Sequence, residues 1–445
     1  MATKNDLIEA QNFSRRRLLT AFVSGAPGGK ELQPATPLRA LVVAVALTAA
    51  VILASVFYGF VQPGLPSGWQ NNRLIIAKDT GARYVTVNGT LHPVINTVSA
   101  RLLIPTGEFT VIATTQKSLA TLPLGSTLGI VGAPDELPAP DSLVVNGWTA
   151  CVTESGATAV RIGADTREAS TRAVVASSND RLYVIDGSRR YSVAADQTDA
   201  VLRAAGLGSL TPVPVSAAWL DLFSPGTQLA PIVVTNAGNP LAGADLTVGE
   251  VIHITGNPNE QRFLLGNDGG LVKLSPLAWQ LYQLGSGRNT GQVQDVTASQ
   301  VGKLQNSPTS VGGSDWPSIG FTAIAADQRP CALLQHDSSG RPQTVLATQA
   351  QTQKVTAGVR VSAGHGSLVL AGGSGAQNSS MLTLIDATGT AYALPGAGAG
   401  TVTQLGYTAT DVGTVDTAWI RLLPSGPALS AAAAGRSPGT AQGSG

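Results

Sequence analysis

The run Tyr84-Val-Thr-Val-Asn88-Gly89 sets an alternating strand directly before an Asn-Gly pair, and Thr90-Leu-His-Pro93 continues beyond it. Asn-Gly in this setting signals a hairpin, because a type I′ turn needs positive φ at both central residues and these two residues tolerate it. The same unit recurs as Tyr183-Val-Ile-Asp186-Gly187, as Phe263-Leu-Leu-Gly-Asn-Asp268-Gly269 and as Leu382-Thr-Leu-Ile-Asp386-Ala-Thr-Gly389. After three of the four copies comes a stretch of helical character: NTVSARLL at 96–103, QTDAVLRAAGL at 197–207 and LAWQLYQLG at 277–285. Hairpin followed by short helix, four times over, predicts an internally repeated α+β domain made of small subdomains, since the spacing is too wide for a tight solenoid.

Two segments lie between copies, and each carries one of the two cysteines. LGSTLGIVGAPDELPAPDSLVVNGWTAC leads to Cys151, and GFTAIAADQRPCALLQ holds Cys331. In an oxidising exterior the economical reading is one disulfide between them, with both segments paired into a central core; two separate buried thiols are the alternative. The expected division is repeat 1 at 70–115, core at 116–160, repeat 2 at 161–240, repeat 3 at 241–315, core again at 316–360, and repeat 4 with a return to the core at 361–430. The tail 431–445, AAAAGRSPGTAQGSG, has no Val, Ile or Leu and reads as disordered.

Upstream, ALVVAVALTAAVILASVFYGFV at 40–61 has no charged residue. At about 1.5 Å per residue it reaches across a hydrocarbon layer of roughly 30 Å. A cleaved signal peptide is the competing reading, but its apolar core is shorter and starts sooner after the N-terminus. Lys4, Arg15, Arg16, Arg17, Lys30 and Arg39 precede the span against Asp6, Glu9 and Glu31, so positive-inside logic keeps 1–39 in the cytoplasm and sends the rest outward. Within 1–39 an imperfect helical spacing ends in Arg15, Arg16, Arg17, Leu18, Leu19 and Phe22, suited to an anionic leaflet or an acidic partner. The plainer reading is a membrane-surface helix that only fixes topology. Gly25-Ala-Pro-Gly-Gly29 reads as the turn that ends it.

Charge narrows the function classes. Only 12% of residues are charged and the formal net charge is +1, which argues against a nucleic-acid binder working through a basic field. His92, His253, His336 and His365 have no metal-ligand spacing. The string nearest a phosphate loop, Gly25-Ala-Pro-Gly-Gly29-Lys30-Glu31, has one spacer too few and Glu in place of the hydroxyl. Asp135 and Glu136 are adjacent, a poor arrangement for a carboxylate pair and a good one for a solvated loop. The residues offer no catalytic site, no metal site and no cofactor site.

Several motifs, in order along the chain, resemble the EccB family, the single-pass membrane component of the actinobacterial type VII (ESX) secretion system. They are the run Arg15 to Gly25, Thr80 to Val94 with Ser99-Ala-Arg-Leu-Leu103, Gly129-Ile-Val-Gly-Ala-Pro134, Trp148-Thr-Ala-Cys151, Cys331-Ala332, Gly364-His-Gly-Ser-Leu-Val369 and Leu422 to Leu429. The resemblance implies a periplasmic core with a disulfide, four flanking repeats and self-association of that domain. It also implies an inner-membrane complex with an EccC-type ATPase, EccD, EccE and a mycosin protease. The family also carries an ATPase label, which would make ATP its ligand; no nucleotide motif stands in this sequence. The reading is therefore a membrane-anchored structural subunit, with an extracytoplasmic nucleotide hydrolase or a cell-wall or ligand-binding module as alternatives.

Overall fold

The computed structural model describes residues 3–24, 38–60, 65–163, 167–241, 245–290, 292–308, 310–372 and 380–438. The chain divides into two compact units, 1–66 and 67–445. In the first, α1 (Lys4–Ser24) is exposed except at the half-buried Thr20, and α2 (Leu38–Phe60) contains an 18-residue stretch, Leu38–Ser55, with mean hydropathy 2.3. That stretch is long and apolar enough to cross a membrane. The turn expected at 25–29 lies outside the described residues.

In the second unit the first repeat begins with β1 (Leu74–Ala77), β2 (Arg83–Val87) and β3 (Thr90–Pro93), an antiparallel meander. Asn88 and Gly89 both have positive φ, 49° and 73°, so the β2–β3 turn has the type I′ form that this dipeptide requires. Helix α3 (Thr97–Leu103) follows, its N-terminus capped by Asn96, whose side chain accepts from Ser99 N. The chain then returns as β4 (Val111–Thr114), parallel to β1, and short helix α4 (Gln116–Leu119) leads back to bridges at Leu91–Leu124 and Val94–Leu128. Residues 116–128, expected in the core, thus complete the first repeat. Their strand contacts are single bridges, too short to show as a strand pattern in the sequence.

A core hairpin comes next: β5 (Thr149–Val152) and β6 (Thr158–Ile162). The second repeat repeats the plan of the first, with β7 (Val174–Ser178), β8 (Arg181–Asp186), β9 (Arg189–Ser192), α5 (Thr198–Ala204), β10 (Val213–Pro214) parallel to β7, α6 (Ala217–Leu220) and β11 (Ser224–Pro225) parallel to β9. Its type I′ turn is at Asn179-Asp180; at the Asp186-Gly187 hairpin only Gly187 has positive φ. The third repeat has β12 (Val251–Ile254), β13 (Arg262–Leu265), β14 (Leu271–Leu274), α7 (Pro276–Leu284), β15 (Gln294–Val296) parallel to β12, and α8 (Ala298–Val301).

The core then receives β16 (Gln328–His336), β17 (Pro342–Ala350) and β18 (Gly358–Val361), giving a mixed sheet in the order β17-β16-β5-β6-β18. The fourth repeat has β19 (Ser367–Gly372), β20 (Met381–Ile385), β21 (Ala391–Ala393), α9 (Ala399–Leu405), β22 (Gly413–Asp416) parallel to β19, and α10 (Thr417–Ile420). A last helix, α11 (Ala431–Ala434), corrects the expected disordered tail. Ser430 caps it and Ala434 is fully buried in the cluster that also holds Val98 and Leu102 of α3, so small apolar residues suffice where the helix packs against a neighbour. Residues 439–445 of that tail lie outside the described residues.

The repeats pack in pairs through their helices. Repeat 1 joins repeat 4, with Val98 and Leu102 against Val402, Leu405 and Leu429; repeat 2 joins repeat 3, with Val201 and Leu202 against Leu277, Leu281 and Tyr282. Repeats 2 and 4 also share the apolar cluster of the central sheet.

Candidate functional site

The central sheet presents two unlike faces. On one face Cys151 and Cys331 stand directly opposite each other in the antiparallel β5–β16 ladder and form a disulfide, with a Cα–Cα distance of 4.0 Å and a sequence separation of 180. Both are buried. The Arg167 guanidinium lies over them, Nη1 being 3.1 Å from Cys151 Sγ, 3.2 Å from Cys331 Sγ and 2.9 Å from Gln349 Oε1. Closing a loop of this length stabilises the fold by about 5 kcal/mol in the chain-entropy estimate.

The opposite face is apolar: Ala150, Val152, Val160, Ile162, Ala332, Leu334 and Leu346. Two tryptophans dock on it, one from each adjoining repeat. Trp219 of α6 donates from Nε1 to Ala150 O at 2.7 Å, and Trp419 of α10 donates to Thr344 Oγ1 at 2.9 Å while meeting Trp148 edge-on at 6.1 Å between centroids. Both are fully buried. The surrounding sequences match, Val215-Ser-Ala-Ala-Trp219-Leu-Asp-Leu and Val415-Asp-Thr-Ala-Trp419-Ile-Arg-Leu, and both helices carry a side-chain N-cap, Ser216 accepting from Trp219 N and Asp416 from Ala418 N. The repeat reading missed this pair because it followed the hairpins; the Ala-Trp match was the signal that would have found it. In repeats 1 and 3 the corresponding positions are Ser118 and Gln300, and neither joins the core cluster.

Between α6 and α10 opens a cleft of ≈ 640 Å³, lined in part by Arg190, Asp221, Asp416 and Arg421. Arg190 and Asp221 pair at 2.6 Å. The cleft has no glycine-rich loop leading into a long helix, the arrangement that cradles a nucleotide's phosphates. Among the described residues no three His, Cys, Asp or Glu side chains converge to hold a metal. The four histidines stand apart. His92 meets Ser126 O, His336 joins the core to repeat 4 through Thr414, His365 meets Ala363 O, and His253 Nδ1 lies 2.8 Å from Asp295 Oδ1. Asp135 is engaged in an ion pair with Arg83.

The perturbed phenols are structural fasteners. Burial pushes Tyr407 up to about 12, and its hydroxyl donates to Pro138 O at 2.7 Å. Burial and then the charge of Asp386 push Tyr392 up to about 12, with its hydroxyl donating to that carboxylate. Tyr191 reaches about 12 by burial and then by Asp315, and it donates to Asp315 O at 2.7 Å.

On α1, Arg15, Arg16, Arg17 and Phe22 are exposed, as are Leu18 and Leu19. At 100° per residue Leu7, Leu18 and Phe22 share one side of the helix, while Arg16 and Arg17 flank the other.

The family model described as Type VII secretion system ESX-1, transport TM domain B, matches residues 1–441. Among curated relatives the chain is 31% identical over 282 residues to the ESX-5 secretion system ATPase EccB5 of Mycobacterium tuberculosis, covering 56% of this chain and 53% of the relative. It is 28% identical over 385 residues to the ESX-3 secretion system ATPase EccB3 of Mycolicibacterium smegmatis, covering 79% of this chain and 70% of the relative. The chain spans about half the length of the M. tuberculosis relatives it matches. Among solved structures it is similar to a chain of an intact ESX-5 inner membrane complex, with a TM-score of 0.67, 23% identity and coverage of 100% of this chain and 97% of that chain. It is also similar to a chain of the EccB3 dimer from the ESX-3 core complex, with a TM-score of 0.66, 23% identity and coverage of 82% and 99%.

Proposed function

The chain belongs to the EccB family of type VII secretion systems, and on that premise we propose that it is a structural, membrane-anchored subunit of an ESX-type inner membrane complex. Helix α2 anchors it in the plasma membrane, the basic N-terminal segment stays in the cytoplasm, and the repeated domain braces the assembly from outside. The observation that carries this reading is the central sheet itself: a disulfide fastens one face and a pair of tryptophan-bearing repeats locks the other. Its polar and aromatic side chains are spent on rigidity. Self-association of the repeated domain follows the precedent of the similar EccB3 dimer. The expected partners are the EccC-type ATPase, EccD, EccE and the mycosin protease, with Arg15, Arg16, Arg17, Leu18, Leu19 and Phe22 docking on the membrane or on cytoplasmic partners.

The test is affinity purification of the full chain from detergent-solubilised membranes of its own host. Co-purification of a multi-spanning protein and an FtsK-type ATPase supports the proposal, and recovery of the chain alone refutes it. The similar EccB5 is named an ATPase, so ATP turnover is measured on the same preparation; steady hydrolysis by the isolated chain, well above a buffer blank, would replace the structural reading.

A further inference from the structure

The disulfide-bearing face of the central sheet also carries a row of arginines. Strand alternation puts Arg329 of β16, Cys151 of β5, Arg161 of β6 and Arg360 of β18 on that face, because Val160, Ile162, Val359 and Val361 belong to the apolar cluster on the other. Arg161 and Arg360 are direct partners in the parallel β6–β18 ladder, and both are exposed. Like charges in this position repel and destabilise the sheet. Among the described residues neither has an ion pair, whereas Arg329 reaches Glu154 at 3.9 Å.

A charge on the outermost strand guards a sheet against unwanted pairing. Arg360 has that place; Arg161 lies one strand further in, where a second cation adds repulsion and no protection. Strand β18 ends the sheet, pairing with β6 alone, and its residues alternate between exposed and half-buried. Among the described residues, a main-chain edge with no further strand on it therefore lies beside two guanidinium groups that have no ion pair, in a chain with only 12% charged residues.

We propose that the β18 edge and the Arg161–Arg360 pair bind an extended acidic segment of a partner polypeptide, which adds to the sheet as a further strand. An added strand lies about 4.8 Å beyond β18, and its alternate side chains then stand on the arginine face. Carboxylates at every second residue meet the guanidinium groups and remove the repulsion between them. Phosphate or an anionic lipid surface can use the charges but has no use for the strand edge.

The experiment uses the full chain in detergent micelles and a fluorescent peptide of alternating Glu and Val, followed by anisotropy. The peptide is expected to bind, with affinity lowered about tenfold by Arg161→Gln together with Arg360→Gln. N-methylation of its backbone is expected to abolish the binding. Arg360→Glu is expected to shift preference toward a Lys-Val peptide, a gain that misfolding cannot imitate. Absence of Glu-Val binding, equal binding of the Lys-Val peptide to the unaltered chain, or no effect of the double substitution overturns the proposal. Full retention of binding by the N-methylated peptide, or displacement by inorganic phosphate or anionic vesicles at equal charge concentration, also overturns it.

Discussion

Replacing Trp419 by Ala tests whether the tryptophan pair holds repeats 2 and 4 to the core. Trp419 is fully buried, meets Trp148 edge-on at 6.1 Å and donates to Thr344 Oγ1 at 2.9 Å. Truncating a buried Trp to Ala costs about 3–5 kcal/mol. Of this, about 1 kcal/mol belongs to the aromatic pair and about 1 kcal/mol to the hydrogen bond, whose loss strands the buried Thr344 hydroxyl. Trp419→Phe keeps most of the apolar area and should cost about 1–2 kcal/mol, because the indole donor is what it removes. Ser118 occupies the matching place in repeat 1 outside the core cluster, so Ser118→Ala should stay within about 0.5 kcal/mol. The assay is urea unfolding of the full chain in mild detergent, read by far-ultraviolet circular dichroism, which does not depend on the indole removed. A loss below about 1 kcal/mol for Trp419→Ala, or an equal loss for Ser118→Ala, would refute the division into docked and undocked repeats.

Cys151→Ser with Cys331→Ser should lower stability by up to about 5 kcal/mol and abolish the mobility shift between reduced and oxidised samples on a denaturing gel; an unchanged unfolding midpoint counts against the clasp. Gly89→Ala forces a Cβ into φ +73° with open space around it, so the expected cost is about 1 kcal/mol from backbone strain alone, read as a thermal midpoint shift. His253 is raised above its ordinary value, chiefly by hydrogen bonding to Asp295 and then to Asn257 O. Its contribution is complete below about pH 6.5 and is lost as pH rises through the folded value. Repeat 3 should weaken on that alkaline side, Asp295→Asn should flatten the dependence, and an NMR titration of His253 at or below the free-histidine value would sink the idea.

Much of this architecture is legible locally. Asn88-Gly89 announces its own turn, the uncharged run in α2 announces a span, and two cysteines in apolar segments announce each other. What escaped is held by tertiary contact. Strand β10 is two residues long and exists because β7 offers it a parallel edge. Helix α9, AGTVTQL, has two β-branched threonines and a valine and follows a Gly-rich stretch; Val402 and Leu405 hold it by packing against α3. Helix α11 is four alanines, invisible to any periodicity, and it is fixed by the Ser430 cap and by Ala433 and Ala434 packing into the cluster with α3. The tryptophan key was readable in principle, since it needed only a comparison of 215–222 with 415–422. The arginine row was not, because neighbours in a parallel ladder lie some 200 residues apart in the chain.

The pairing of the first repeat with the fourth sets a clock on folding. Gln404 reaches Ile104 O across a separation of 300 residues, and the apolar side of α3 is covered by side chains between Leu394 and Ala434. At roughly 5–20 residues per second a ribosome delivers that cover about 15–60 s after α3 itself. Through that interval the subdomain synthesised first waits with Val98 and Leu102 bare.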